Sequence, residues 1–495
     1  MDGDHCAHKL HEQQEPLEQQ ELLELHEQHL PWAQENFGGA ALGDLRRSKR
    51  LVITVAAIRA RPGCSVSRQC GEWAPTKAGC RLISNDKVDS QAMQQPHREL
   101  VARRCAEHER ILCVQDTTQF DFSRRAARGS IQGVGPLGSH HGGGQGLIQH
   151  TGLAVTREKR VLGVLDQRVR LQHRVPPGET RKQRRDRTTE AEVWEQCAQH
   201  VAELPLGSVR LVHVCDRHAD VFSFFSTAET LGHGFIVRAM HDRYVHDESP
   251  DSKPGRLRDR FAREPIRGER TLWVPARSGP PKKKRKARWA KLVMRRMPVL
   301  IPPPQNDPRW KDHKLIKATA IEVREVNAPS DVAEPLHWIL LTNELVLSDA
   351  DAWSIVDDYT CRWVIEEWHR VLKEGCRVES SQFDHGDDIE RLVMILGPVA
   401  VEMLSLRDLA DDPEHADDPE ALQETVDEAR IAVAAHILSK PPHQLTPRQY
   451  WRAMAKLGGH LGRKNDPRPG WRCLWHGHYE LELLALGYRL AKRSG

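Results

Sequence analysis

The chain has 495 residues, long enough for two to four domains and at least one large buried core. Its 73 Lys+Arg and 69 Asp+Glu leave a formal charge of only +4, which hides a strong segregation. Residues 1–30 hold eight acids and one Lys, a local net of −7, whereas residues 277–296 hold ten Lys or Arg and no acid. Such segregation suits a polyanion-binding body with an acidic appendage, although an isolated basic run is more often a solvated face. No run approaches the ~18 apolar residues of a membrane span, and no apolar signal segment opens the chain. The 11 cysteines show no C-x-x-C pair and no zinc-ligand spacing, which points to free thiols in a reducing cytoplasm.

In chain order, residues 1–31 form a Glu/Gln/His-rich arm, either a frayed helix or disordered. Residues 32–107 have helical periodicity, with breaks expected at Pro62-Gly63 and Pro75. Arg46, Arg47, Lys49 and Arg50 cluster at the start of one of these helices, a basic edge that fits DNA or a purely structural role. From about 110 to 240 the pattern becomes short apolar runs: Ile111–Val114, Leu153–Thr156, Val161–Leu165, Val209–Val214 and Phe235–Val237. These read as buried strands, with a helix over Glu190–Leu204 between the third and fourth. Strands mixed with helices over about 110–240 predict an α/β domain. A Pro/Arg/Lys-rich, β-rich insertion follows over about 242–337. A strand at His337–Thr342 then leads to a long helix expected from Asp349 to Lys373, and more helix from Asp388 to Leu409. Residues 411–495 form a helical C-terminal region.

Two acids follow strong strands. Asp116 comes just after Ile111–Val114, and Asp216 just after Val209–Val214, so both are expected to project from strand ends. Carboxylates on adjacent strands suit Mg²⁺, which favours one or two carboxylates with waters and phosphate oxygens. Either Asp alone is more often a turn former or helix cap. On the helix that follows, Tyr359, Arg362, Glu366 and Lys373 stand at i, i+3, i+7 and i+14, within roughly 60° around the axis. The opposite side offers Cys361, Val364, Trp368 and Val371 for burial. A charged helix face is ordinarily a solvated surface; here it is free to turn towards the strand ends.

Asp116-Thr117-Thr118, Asp216-Arg217 and the Y-x2-R-x3-E-x6-K spacing of Tyr359, Arg362, Glu366 and Lys373 resemble the D-D-E transposases of bacterial insertion-sequence family four, the Tn-five-like branch. Trp32-Ala33 through Ala41–Arg47, Trp338–Thr342, Tyr450-Trp451 through Gly459, and Trp471 through Trp475 extend the resemblance over 32–490. The resemblance implies a ribonuclease-H-like α/β core over residues 108–410 with a β-rich insertion, between a helical DNA-binding N-terminal domain and a helical C-terminal domain that dimerises. It implies Asp116, Asp216 and Glu366 as metal-binding catalytic residues for two Mg²⁺ or Mn²⁺ ions. Their chemistry would be nicking, hairpin formation, hairpin opening and strand transfer on double-stranded DNA, in the bacterial cytoplasm at the nucleoid. Arg238, Trp338, Tyr359, Arg362 and Lys373 would hold the transposon end, Trp338 by stacking on a flipped base, with Arg46, Arg47 and Arg50 contributing DNA contacts.

Two departures stand out. Asp166-Gln167-Arg168-Val169-Arg170 replaces an aromatic cluster, and the acidic N-terminal arm is foreign to the pattern. Rival readings are a non-catalytic DNA-binding relative and a ribonuclease-H-like nuclease that does not join strands. Gly133–Gly138 spells G-x-G-x-x-G but lacks the strand–turn–helix order of a dinucleotide site and reads as a loop. His140, His141 and His150 lack a further ligand at metal-site spacing. Lys282–Arg288 reads either as an import signal or as a phosphate-contacting loop.

Overall fold

The computed structural model describes residues 19–138, 143–172, 192–248, 252–274, 286–305, 307–310, 313–330, 334–463 and 468–494, with residues 178, 180, 332 and 466. His140, His141, residues 1–18 of the acidic arm and the basic run 282–285 lie outside them.

Five helices come first: α1 (Gln19–Phe37), α2 (Leu45–Ala60), α3 (Val66–Cys70), α4 (Trp73–Ile83) and α5 (Ser90–Cys105). α1 runs across the expected boundary at 31/32, so residues 19–31 of the Glu/Gln-rich arm are part of the helical module. Asp44 caps α2 by accepting the Arg46 backbone N–H at 2.8 Å, and α2 stops just before Pro62-Gly63 as expected. Pro75, by contrast, breaks nothing. It lies in the first turn of α4, where a helix has no use for the missing N–H.

The chain then builds one ten-stranded mixed sheet from β1 (Arg110–Asp121), β2 (Gly135–Pro136), β3 (Gln145–Val155), β4 (Val161–Arg170), β5 (Arg210–Cys215), β6 (Gly234–Arg238) and four later strands. α6 (Ser123–Ala127) follows β1, α7 (Glu192–Ala202) precedes β5 and α8 (Phe222–Thr230) precedes β6. The long strands of this half lie in the order β4-β3-β1-β5-β6; β1, β5 and β6 are parallel, and β3 runs antiparallel to β1.

A small hairpin, β7 (Tyr244–Val245) and β8 (Gly255–Arg256), and α9 (Leu257–Phe261) follow. β9 (Gly268–Val274), β10 (Arg288–Ile301), β11 (Ile316–Val326) and β12 (His337–Thr342) then add to the same sheet, because β12 pairs antiparallel with β6. The β-rich stretch therefore extends the central sheet rather than folding as a separate layer.

The expected single helix over 349–373 is broken. α10 (Asp349–Thr360), held by a Ser348–Asp351 capping box, ends before two turn residues; α11 (Trp363–Arg370) follows, and a π turn spans Val371–Gly375. α12 (Gly386–Asp411), α13 (Pro419–Thr425), α14 (Glu428–Ile437), α15 (Pro447–Leu457) and α16 (Trp471–Ser494) complete the chain. The fold is thus mixed α/β with helical N- and C-terminal regions.

Alternation along the strands fixes which helices cover which face. Leu112, Val114, Val212, Val214, Ile236 and Leu340 join one apolar cluster with α10, α11, α12 and both helical ends of the chain. Phe235, Val237, Leu341 and Cys215 turn to the other face, against α7 and α8. Polar links bind the N-terminal helices to α12: Arg391 donates to the Val88 and Ile83 carbonyls at 2.8 and 3.0 Å, and Arg59 Nε donates to Glu402 at 2.8 Å.

Candidate active site and nucleic-acid interface

The parallel ladder between β1 and β5 ends at the pair Val114–Val214. Two residues further along each strand stand Asp116 and Asp216, at the same level and with the same side-chain parity. Both carboxylates therefore leave on the face covered by α10–α12. Asp116 does not end its strand, contrary to the sequence expectation. Residues 112–121 pair antiparallel with β3, Asp116 opposite Thr151, so β1 continues where its parallel neighbour stops. Asp216 does follow the end of β5 and caps a short 3-10 turn, accepting the His218 backbone N–H at 2.7 Å and facing His218 Nδ1 at 3.0 Å.

Glu366 reaches this place from α11, and Arg362 joins the groups. Its Nη1 lies 3.4 Å from Asp116 Oδ2, and its Nη2 donates to Glu366 Oε1 at 2.5 Å. Burial pushes the Asp116 carboxyl up to about 6, with the charges of Asp216 and Glu366 adding to the rise and Arg362 opposing it. Burial also works against the Asp216 charge, but hydrogen bonds from His218 outweigh it and hold that carboxyl below its usual range. Burial raises the Tyr359 phenol, which is hydrogen-bonded to Arg362 and feels the charge of Arg238. The Trp338 ring lies 5.8 Å from Tyr359, and Arg238 donates to the His337 carbonyl at 3.1 Å. Asp116, Asp216, Arg238, Trp338, Tyr359, Arg362 and Glu366 thus come together on one face of the sheet.

Lys373 does not join them. The π turn re-aims it, and its ammonium sits 5.9 Å over the Phe120 ring, with Asp121 and Glu379 countering the downward push of burial on its pKa. Phe120 is four strand residues, roughly 13 Å, beyond Asp116. The opposite side of the helix behaves as expected: Cys361, Val364, Trp368 and Val371 are all buried.

Arg46, Arg47 and Arg50 occupy the first turns of α2. Arg46 is exposed and ion-paired with Asp44 at 3.0 Å; Arg47 donates to the Leu42 carbonyl at 3.0 Å. Basic side chains here oppose the helix dipole, so they serve the helix poorly and suit an anionic partner better. Trp73, at the start of α4, is 76 % exposed with Lys77 5.7 Å over its ring, a feature of this module not singled out in the sequence.

Behind Asp116 the sheet hides a polar chain that no sequence spacing announces. Thr117 Oγ1 meets His150 Nδ1 at 2.8 Å, and His150 Nε2 meets Gln115 Oε1 at 3.0 Å. Gln115 Nε2 meets His213 Nδ1 at 2.8 Å, and His213 Nε2 meets His233 Nδ1 at 2.9 Å. Burial pushes His150 down to about 3 and lowers His213, so both imidazoles are neutral near pH 7. With the Gln115 amide donating to His213, each neutral imidazole carries its proton on Nε2. His150 is thus committed to this chain and is no metal ligand.

Residues 29–88, from the second half of α1 through α4, match the family model described as transposase DNA-binding. The match supports a transposase that binds DNA. Arg46, Arg47, Arg50 and Trp73 all fall inside the matched segment. Among the described residues, no helix is long and apolar enough to cross a membrane.

Among the described residues, no three His, Cys, Asp or Glu side chains stand close enough to hold a metal ion. The donor set near Arg362 nevertheless suits a hard divalent cation: carboxylate oxygens only, one of them on a carboxyl whose proton affinity is already raised. The Arg362 guanidinium lies between Asp116 and Glu366, where such a cation would go.

Proposed function

We propose that the protein is a D-D-E transposase in which Asp116, Asp216 and Glu366 carry metal-dependent DNA strand cleavage and joining. The observation that carries this reading is the register of the two aspartates. They leave neighbouring parallel strands at one level, facing a helix whose Glu366 is linked to Asp116 through Arg362. The strand order β4-β3-β1-β5-β6, with β3 antiparallel to its neighbour β1, supports a ribonuclease-H-like core.

In this reading the three carboxylates hold two Mg²⁺ or Mn²⁺ ions, which supply charge neutralisation and a stronger nucleophile for in-line displacement at phosphorus. Burial of Asp116 withholds bulk water from the reacting phosphate. Arg238, Tyr359 and Arg362 offer donors for backbone oxygens beside the scissile bond, and Lys373 grips the strand further along β1. Trp338 presents a ring on which an unpaired base can stack, worth roughly 1–3 kcal/mol. The DNA-binding module holds the transposon end, and the C-terminal helices pair two copies so that two ends react together.

The reading is tested with precut DNA ends bearing free 3′-hydroxyls and a plasmid target in Mg²⁺. It expects joined products from the wild-type protein and none from Glu366→Gln. Cleavage of uncut ends without any joining of precut ends would instead indicate a nuclease.

A further inference from the structure

Resting on the reading that Asp116, Asp216 and Glu366 hold the cation, we infer that Arg362 is a built-in counter-ion that keeps the site closed to metal until DNA draws it away. Arg362 is committed on both sides, to Asp116 Oδ2 and to Glu366 Oε1, and its side chain is only 16 % exposed. Glu366 projects from the same α11 face one turn later, so an ordinary i,i+4 helical pair is enough to turn it towards Arg362. The three acids carry up to three negative charges in a half-buried pocket, and like charges so placed repel unless a cation stands between them. The guanidinium is that cation.

A divalent ion at the same place must bring Glu366 and Asp116 round itself and so displace Arg362. Without DNA, the displaced guanidinium would be left close to the incoming ion, charge against charge. A phosphate oxygen of bound DNA offers it another partner, with two parallel N–H donors matched to the phosphate. Arg362 cannot serve the carboxylates and the phosphate at once. DNA binding and metal binding therefore reinforce each other through this side chain, by the same factor in each direction. The device leaves the protein without a loaded metal site while it is off DNA, which suppresses stray nicking.

Mn²⁺ is titrated into the full chain without DNA, and free ion is read by electron paramagnetic resonance. The wild type is expected to bind weakly. Arg362→Gln is expected to bind at least about tenfold more tightly, a coupling of ordinary size for two linked ligands. Asp116→Asn in the Arg362→Gln background is expected to lose that gain. Adding a short duplex at low salt is expected to tighten Mn²⁺ binding to the wild type but not to Arg362→Gln. If Arg362→Gln does not fold, Arg362→Met, which keeps the apolar stem but removes the charge, carries the comparison.

Equal or weaker Mn²⁺ binding by a folded Arg362 variant overturns the counter-ion role. If the wild type itself binds Mn²⁺ tightly and Asp116→Asn abolishes it, the carboxylate site stands and only the gate falls. If the gain survives Asp116→Asn, or no variant binds Mn²⁺ with or without DNA, the carboxylate site falls as well.

Discussion

Asp116 carries an electrostatic strain. Its carboxyl sits at about 6 because it is buried beside two other carboxylates, with Arg362 as partial relief. An aspartate in an unfolded chain titrates near about 3.9. Between roughly pH 4 and pH 6 the folded protein therefore keeps a proton that the unfolded chain has lost. Stability falls as pH rises through that window and stays lower at neutral pH. Asp116→Asn removes the charge but not the shape. It is expected to make the metal-free protein more stable near neutral pH by about 1–3 kcal/mol, with the gain vanishing at about pH 4. Urea denaturation of both proteins at the two pH values checks the sign, and a variant less stable than wild type at neutral pH would refute it. A residue kept at such a cost is the kind a reaction needs rather than one the fold needs.

At the scale of elements, the sheet separates two tasks on its two faces. One face of β1 and β5 sends Asp116 and Asp216 towards α11; the other sends Gln115, Thr117 and His213 into the neutral hydrogen-bonded chain. Gln115→Leu leaves His150 Nε2 and His213 Nδ1 without partners in the core, and is expected to cost about 1–3 kcal/mol in thermal or urea unfolding. A neutral effect would mean that the chain is dispensable.

Much of this architecture is legible in the sequence, since apolar runs of three to six residues marked β1, β3, β4, β5 and β6. The continuation of β1 past Asp116 is not legible, because Thr117, Thr118 and Gln119 are polar; it depends on pairing with β3, a partner some thirty residues away. The break at Cys361-Arg362 and the π turn leave the burial pattern of Val364, Trp368 and Val371 intact, so periodicity alone cannot report them. That is why Tyr359, Arg362 and Glu366 meet as their spacing predicts, whereas Lys373 departs. His150, His213 and His233 become one chain only when three strands align.

For the whole molecule, the helical ends are not loose appendages. The N-terminal helices, the sheet and the C-terminal helices share one apolar cluster, and Gly375 of the π turn packs so closely on α16 that an added Cβ would run into the Trp475 indole. In the proposed reading, α2 grips the transposon end in addition to the strand contacts of Arg238, Tyr359 and Arg362 beside the acids. Arg46→Ala with Arg50→Ala is expected to weaken DNA binding across sequences and to reduce the salt slope by about 1 for each phosphate no longer neutralised. The unfolding midpoint should barely move, as Arg46 is exposed and Arg50 only half-buried. An unchanged salt slope would place the DNA elsewhere.

In the proposed reading, Asp116, Asp216 and Glu366 act on DNA that other residues hold. Binding and nicking measured together decide this, in Mg²⁺, on duplexes built from the DNA that flanks the coding sequence. Asp116→Asn, Asp216→Asn and Glu366→Gln should each still shift the duplex in a gel and leave it uncut. Wild-type nicking by any of the three would contradict the assignment.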